Sequence, residues 1–199
     1  PIVNPVLVAV AILAVMLKAT ATPYATYFEG APFVHFLLGP ATVCLALPLW
    51  DNLPRVRKAA LPLLAALLAG SVTAIASALA IARSFGISGE ILASLAPKST
   101  TAPVAIGISQ AIGGSPTLTA VMVILTGITG AVVATPLLNL LRIKDWRARG
   151  FATGVAAHGI GTARAFQVHP TAGAFAGLGM GLNAVLTAII APMLLRLFQ

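Results

Sequence analysis

Three residues able to act on a small solute stand close together in GVAAHGIGTARAF, residues 154–166: His158, Thr162 and Arg164. Arginine offers a planar, permanently charged fork that matches a carboxylate, and histidine changes charge near neutral pH. A second polar run, APKSTTAP at residues 96–103, sets Lys98, Ser99, Thr100 and Thr101 between Pro97 and Pro103. An ammonium beside a row of hydroxyls can neutralise an anion and hydrogen-bond its OH groups. The two stretches together suit an anion site, with Lys98 and Arg164 as countercharges, the hydroxyls reading substrate oxygens, and His158 linking binding to protons. Asn183 adds one amide within the last apolar run, where such a group either joins helices or touches a solute. Each residue has a plainer role. Arg164 could snorkel, Lys98 could stand in water at a hairpin tip, and the hydroxyls and His158 could satisfy carbonyls freed at a helix break.

The elements that carry these residues are set by composition. Of 199 residues, 59% are hydrophobic and 8% charged, where soluble domains are about a quarter charged. Mean hydropathy is +1.01. Apolar runs of about 20 residues recur along the chain, which indicates an all-α, polytopic membrane helical bundle rather than a barrel of short alternating strands. The charge of +8 does not point to nucleic acid, because the Lys and Arg residues lie in short connections between apolar runs. The lone Cys44 excludes an intrachain disulfide and reads as a small core residue. A chain that opens on Pro1 and an apolar run without a basic leader is expected to be truncated or processed at its N-terminus.

Spans are expected at residues 2–17, at 33–50 with Pro40 and Pro48 distorting it, at 61–82, at 118–141 and at 172–198. Tyr24, Tyr27 and Phe28 suit the headgroup level, and His35 and His169 look interfacial. Residues 91–112 cannot be an ordinary span, because two prolines and four polar side chains interrupt them within seven residues. Such backbone is tolerated at membrane depth only inside protein or against a cavity. In the last span Gly173, Gly177 and Gly181 recur every four residues, a pattern that lets helices pack closely.

The chain is expected to be a single domain, with broken-helix units near 84–141 and 150–198. Thr101-Ala102 aligns with Thr162-Ala163, each polar break is followed by a proline turn at Pro116 or Pro170, and each following span bears a late proline, Pro136 or Pro192. The basic connections around Arg57 and Arg147 should share the inner face, which requires an even number of crossings between them. That holds if residues 91–112 enter and leave from the outside. The Gly154 segment would then enter from the inside, giving two broken or re-entrant helices in an inverted-repeat, transporter-like architecture. The alternative keeps both broken helices as full crossings and puts one basic connection on the other side, since the positive-inside bias is statistical.

At these residues the sequence resembles the LrgB family, also called CidB-like or antiholin-like membrane proteins. The resemblance rests on NPVLVA (4–9), YFEGA (27–31), LLGPATV (37–43), SLAPKSTTAPVA (94–105), HGIGTARA (158–165) and GLGMGLN (177–183), in family order over nearly the whole chain. It implies a bacterial inner-membrane protein tied to murein hydrolase export and programmed cell death. A plant relative would lie in the plastid inner envelope, where the family is associated with glycolate and glycerate exchange. An LrgA-like protein is the partner that the resemblance implies.

Enzymatic activity and a cofactor are not expected. No Walker-type GxxxxGK[ST] occurs, and no Ser/His/Asp arrangement supports hydrolysis. Glu29, Asp51, Glu90 and Asp145 all fall in connections or at segment ends, so no metal site is expected within the membrane. The expected function is secondary transport of small 2-hydroxy monocarboxylates such as glycolate or glycerate. The alternative is a holin-like or antiholin-like pore or regulator of cell lysis, self-associating through the Gly173, Gly177 and Gly181 face. Expected partners are the small carboxylate, the lipid bilayer and further copies of the chain.

Overall fold

The computed structural model describes residues 5–30, 50 and 53–198. Most of the span expected at 33–50, with Cys44 and His35, lies outside the described residues, as does Asp51. The described chain folds as α1 (Pro5–Ala19), α2 (Tyr24–Glu29), α3 (Leu53–Lys58), α4 (Ala60–Ser84), α5 (Gly89–Leu95), α6 (Ala102–Ala111), α7 (Pro116–Leu140), α8 (Trp146–Val168) and α9 (Pro170–Arg196). Among the described residues there is no strand.

α4, α7 and α9 have 25, 25 and 27 residues and are apolar enough to cross a membrane. At about 1.5 Å per residue they reach about 37–40 Å, more than the roughly 30 Å of a hydrocarbon core. α4 and α7 each bury one narrow stripe at helical spacing, Leu67, Ser71, Ile75 and Leu79 on α4 and Thr119, Val123, Gly127 and Ala131 on α7, whereas α9 is buried all round at residues 172–176 and narrows to a stripe through Asn183, Thr187 and Ala191. The opposite faces expose Leu64, Leu68, Leu125, Val133, Val185 and Ile189. A helix that is apolar all round, with only one stripe covered by protein, belongs in lipid. The chain is an integral membrane bundle.

Two apolar clusters fix the directions of these helices. Leu67 of early α4 packs with Phe151 and Val155 of α8 and with Phe175 of early α9, and Val56 of α3 joins them. Ile75, Leu79 and Ala82 of late α4 pack with Leu92, Ala93, Ala191 and Leu195. α4 and α9 are therefore parallel. α7 is antiparallel to them, because Ser115 at its start meets Ser94 whereas Leu138 at its end lines a crevice with Trp146 and Ala172. The basic connections around Arg57 and Arg147 consequently share one end of the bundle, with α4 and α7 as the long helices between them.

The remaining segments double back. A straight α8 would be about 35 Å long. Its ends nevertheless meet: the rings of Trp146 and His169 stack with centroids 4.8 Å apart. The reversal falls at Ala157 and His158, whose backbone is not helical. α5 and α6 are separated by residues 96–101 and likewise return to their starting end, where the Ser115 amide donates to Ser94 Oγ at 2.7 Å.

Candidate functional site at the two reversals

His158 has φ +41° and ψ −135°, left-handed backbone that a side chain normally avoids. Surrounding contacts must hold it there. Its Nε2 lies 2.9 Å from Val123 O, and since a carbonyl only accepts, Nε2 carries the proton. Thr162 Oγ1 donates to His158 O at 2.7 Å and lies 4.0 Å from Met180 Sδ. The imidazole occupies space that a side chain at residue 127 would fill, for a Cβ on Gly127 would lie 2.6 Å from His158 Cε1. His158 is thus the buried pin between the α8 reversal and the α7 backbone.

The other reversal is a sequence of tight turns. Lys98 N donates to Leu95 O at 3.2 Å, and the amide and hydroxyl of Thr100 donate to Pro97 O at 3.0 and 3.1 Å. Thr101 is the N-cap residue of α6, without a side-chain capping bond, and Pro103 occupies the first helical turn. Proline suits that turn because its missing N–H would have no helical partner there. Ser99 and Thr100 are buried, whereas Lys98 is half-buried with Nζ 3.4 Å from Ser99 Oγ.

Both reversals converge on Asn183, near the middle of α9. Asn183 Nδ2 donates to Ser99 O and to Val155 O, each at 3.1 Å. Its Oδ1 accepts from Ser71 Oγ at 2.6 Å and from Thr187 Oγ1 at 3.3 Å. One buried amide thereby ties α4, both reversals and α9 together. Every buried side-chain nitrogen and oxygen among the described residues has a partner. Ser71 and Thr187 are the members of this group that sequence reasoning misses, since one hydroxyl in an apolar span carries no signal of its own. A second polar cluster, Ser94, Ser109 and Thr119, holds the first reversal to the start of α7, with Thr119 Oγ1 bonded to Ser109 Oγ at 2.7 Å and Ser94 O at 3.1 Å.

A cavity of about 510 Å³ opens between the first reversal, α7 and the first arm of α8, lined by Lys98, Met122, Thr126, Val133, Thr153 and Ala157, among others. Arg164 does not line it. Its Nη1 donates to Gln167 Oε1 at 3.2 Å, and it borders a separate crevice with Trp146 and Arg149. Six helical residues past the reversal amount to about 9 Å, which carries Arg164 back toward the basic end. The expected pairing of Lys98 with Arg164 across one site is therefore divided between two places.

The expected glycine face is divided in the same way. A Cβ on Gly173 would collide with the Phe166 ring, but one on Gly177 or Gly181 would meet nothing within 4 Å. The close approach is made instead by Gly150 and Gly154, whose added Cβ atoms would collide with Ala172 O and Ala176 O. The face of α9 turned to α8 carries Ala172, Gly173, Ala176, Gly179 and Asn183, so Gly173 is the member of the row that packs there. Gly177 and Gly181 point out of this packing.

At the basic end Asp145 caps α8, accepting from Arg147 N at 2.8 Å. The Arg147 guanidinium bonds both its carboxylate oxygens and holds its pKa down to about 2. Arg149 reaches Ile143 O at 3.0 Å and lies 4.9 Å over the Trp146 ring. These contacts brace the first foot of α8, and the Trp146–His169 stack joins it to the second.

Residues 1–197 match the LrgB-like family. A holin-like protein CidB of Staphylococcus epidermidis is 33% identical over 198 residues, covering 100% of this chain and 86% of that protein. CidB of Staphylococcus aureus is 32% identical with the same coverage. YwbG of Bacillus subtilis is 37% identical over 192 residues, 96% of this chain and 85% of that one. No solved structure matches the chain. A membrane bundle with this match over nearly its whole length and these relatives belongs to the LrgB-like family.

Proposed function

We propose that this protein is a holin-like protein of the bacterial plasma membrane, governing cell lysis through what it lets cross that membrane. The observation that carries this is the full-length similarity to staphylococcal relatives named holin-like, in a chain whose long helices suit a bilayer. The test is genetic. Deleting the chain's gene in a bacterium that carries it should change murein hydrolase activity in the medium and the rate of autolysis, and re-expression should restore both. Unchanged lysis and hydrolase release would reject this function.

A second function, carriage of small organic anions such as glycolate or glycerate, is favoured by one geometric feature. Two doubled-back segments approach from opposite ends and share a buried amide, with a lysine beside them at a cavity. Broken segments that meet at mid-depth are how inverted-repeat carriers build substrate sites. Saturable glycolate counterflow in proteoliposomes is the expected result; non-saturating current through single channels would favour a pore instead. The two functions are compatible where release of an organic anion is what conditions lysis.

A further inference from the structure

We propose that the crevice between the end of α7 and the two arms of α8 holds the phosphodiester of an anionic phospholipid of the inner leaflet, with Arg149 and Arg164 as its countercharges. Both arginines line it, together with Thr135, Leu138, Trp146 and Val168. Arg149 stands about 12 Å before the α8 reversal and Arg164 about 9 Å after it, so the doubling-back brings them to similar depths. Arg149 is only 8% exposed, yet among the described residues its hydrogen bond is to Ile143 O and that of Arg164 is to Gln167 Oε1, both neutral acceptors. Asp145 is bound to Arg147, Glu90 opens α5 at the far end, and among the described residues no carboxylate lines the crevice. A guanidinium has five donors, and two like charges on one partly buried crevice repel each other unless an anion joins them.

Size and position decide what that anion is. The crevice encloses about 20 Å³, room for about one water-sized group. A whole organic solute does not fit, whereas a lipid can insert a phosphate oxygen and leave its glycerol and chains outside, along Leu137, Leu140 and Leu141, which the described residues leave exposed. The non-bridging oxygens of a phosphodiester suit two guanidinium forks that come from different arms. Trp146 marks the headgroup level, and the bias of Lys and Arg makes this the cytoplasmic end. Arg142 and Lys144, exposed beside the crevice, attract an anionic head and repel a choline. A headgroup held by both arginines bridges the arms of α8 and reinforces the Trp146–His169 stack at their feet.

Lipid titration of the full chain in nonionic detergent, read by native mass spectrometry, tests this. Dioleoylphosphatidylglycerol is the anionic probe and dioleoylphosphatidylcholine the zwitterionic one. Wild type should hold phosphatidylglycerol about tenfold to thirtyfold more tightly than phosphatidylcholine, the worth of two basic residues at a membrane surface. Arg164→Gln should lose about fivefold of that preference, and Arg164→Lys should stay within about twofold of wild type, which separates lost charge from lost folding. Arg83→Gln, which removes an exposed cation at the opposite end, and Asp51→Asn should each stay within about twofold. Millimolar inorganic phosphate should leave the lipid bound. The site is overturned if the two lipids bind alike, if Arg164→Gln binds as wild type does, or if Arg164→Lys or Arg83→Gln loses as much as Arg164→Gln. Displacement of the lipid by inorganic phosphate would make this a free-phosphate site and overturn the lipid. A several-fold gain in Asp51→Asn would make Asp51 the counter-ion of the crevice, and that too would overturn it.

Discussion

Asn183 Nδ2 donates to Ser99 O at 3.1 Å, joining residues 84 apart in sequence. The same nitrogen reaches Val155 O, so its two donors hold two chain reversals that come from opposite ends of the bundle. An interior helix end is costly unless its backbone groups find partners, and here one amide serves both.

Asn183→Leu strands Ser99 O, Val155 O and the Ser71 hydroxyl at once. Interhelical hydrogen bonds in membranes average well under 1 kcal/mol, but unsatisfied buried groups cost more, so a loss of about 1–3 kcal/mol is expected. Reversible unfolding in mixed detergent micelles measures it. Asn183→Asp keeps the acceptor for Ser71 while losing both donors, and it too should be destabilised.

Gly154→Val should disrupt the contact of α8 with α9, since its Cβ would collide with Ala176 O, a backbone atom that cannot turn aside. Overpacking of this kind typically costs about 1–3 kcal/mol or more. Gly177→Ala meets nothing within 4 Å and should stay within about 0.5 kcal/mol of wild type in the same unfolding experiment. Equal sensitivity at both positions would mean that the outward glycine face also packs, against another copy of the chain.

The direction of the bundle can be checked from outside the cell. In a Cys44→Ala background, Ser115→Cys should react with an impermeant maleimide applied externally, and Lys144→Cys should react only after permeabilisation. One long helix, α7, separates the two positions. Labelling of both from one side would exclude the doubled-back arrangement across a membrane.

At the basic end, Asp145→Asn should be nearly neutral because asparagine caps as well as aspartate, whereas Asp145→Ala should cost about 1 kcal/mol. The pH dependence has a definite sign. The carboxyl is held down to about 2 from 3.8 by Arg147, so its contribution is complete above about pH 4 and is lost as pH falls toward 2. Because the pair is solvent-exposed, screening keeps that contribution small. Spin-label mobility at Ala148→Cys, followed across this window, reports the release of the α8 foot.

Much of the architecture is legible in the amino-acid sequence. Apolar runs near 20 residues make the chain a membrane helical bundle, and the clustered prolines and hydroxyls at 96–103 mark where an ordinary span cannot continue. If both basic connections face one side, parity requires one segment to return to its own side. Such features are local or depend only on counting, and chain composition suffices to determine them.

Which residues meet is not legible in the same way. His158 stands out as an ionisable group in an apolar chain, but only the fold turns its ring onto Val123 O. Lys98 and Arg164 look like partners because they flank aligned positions, and the doubling-back of α8 sends one toward the cavity and the other toward the basic end. The glycine row on α9 is visible at its spacing of four, yet only Gly173 packs within the chain, and the closest backbone approaches are made by Gly150 and Gly154 on a different helix. Charge, apolarity and helix-breaking belong to individual residues and can be read in order along the chain. Contact between residues dozens of positions apart depends on helix rotation and on where a reversal falls, and these are set only when the helices pack.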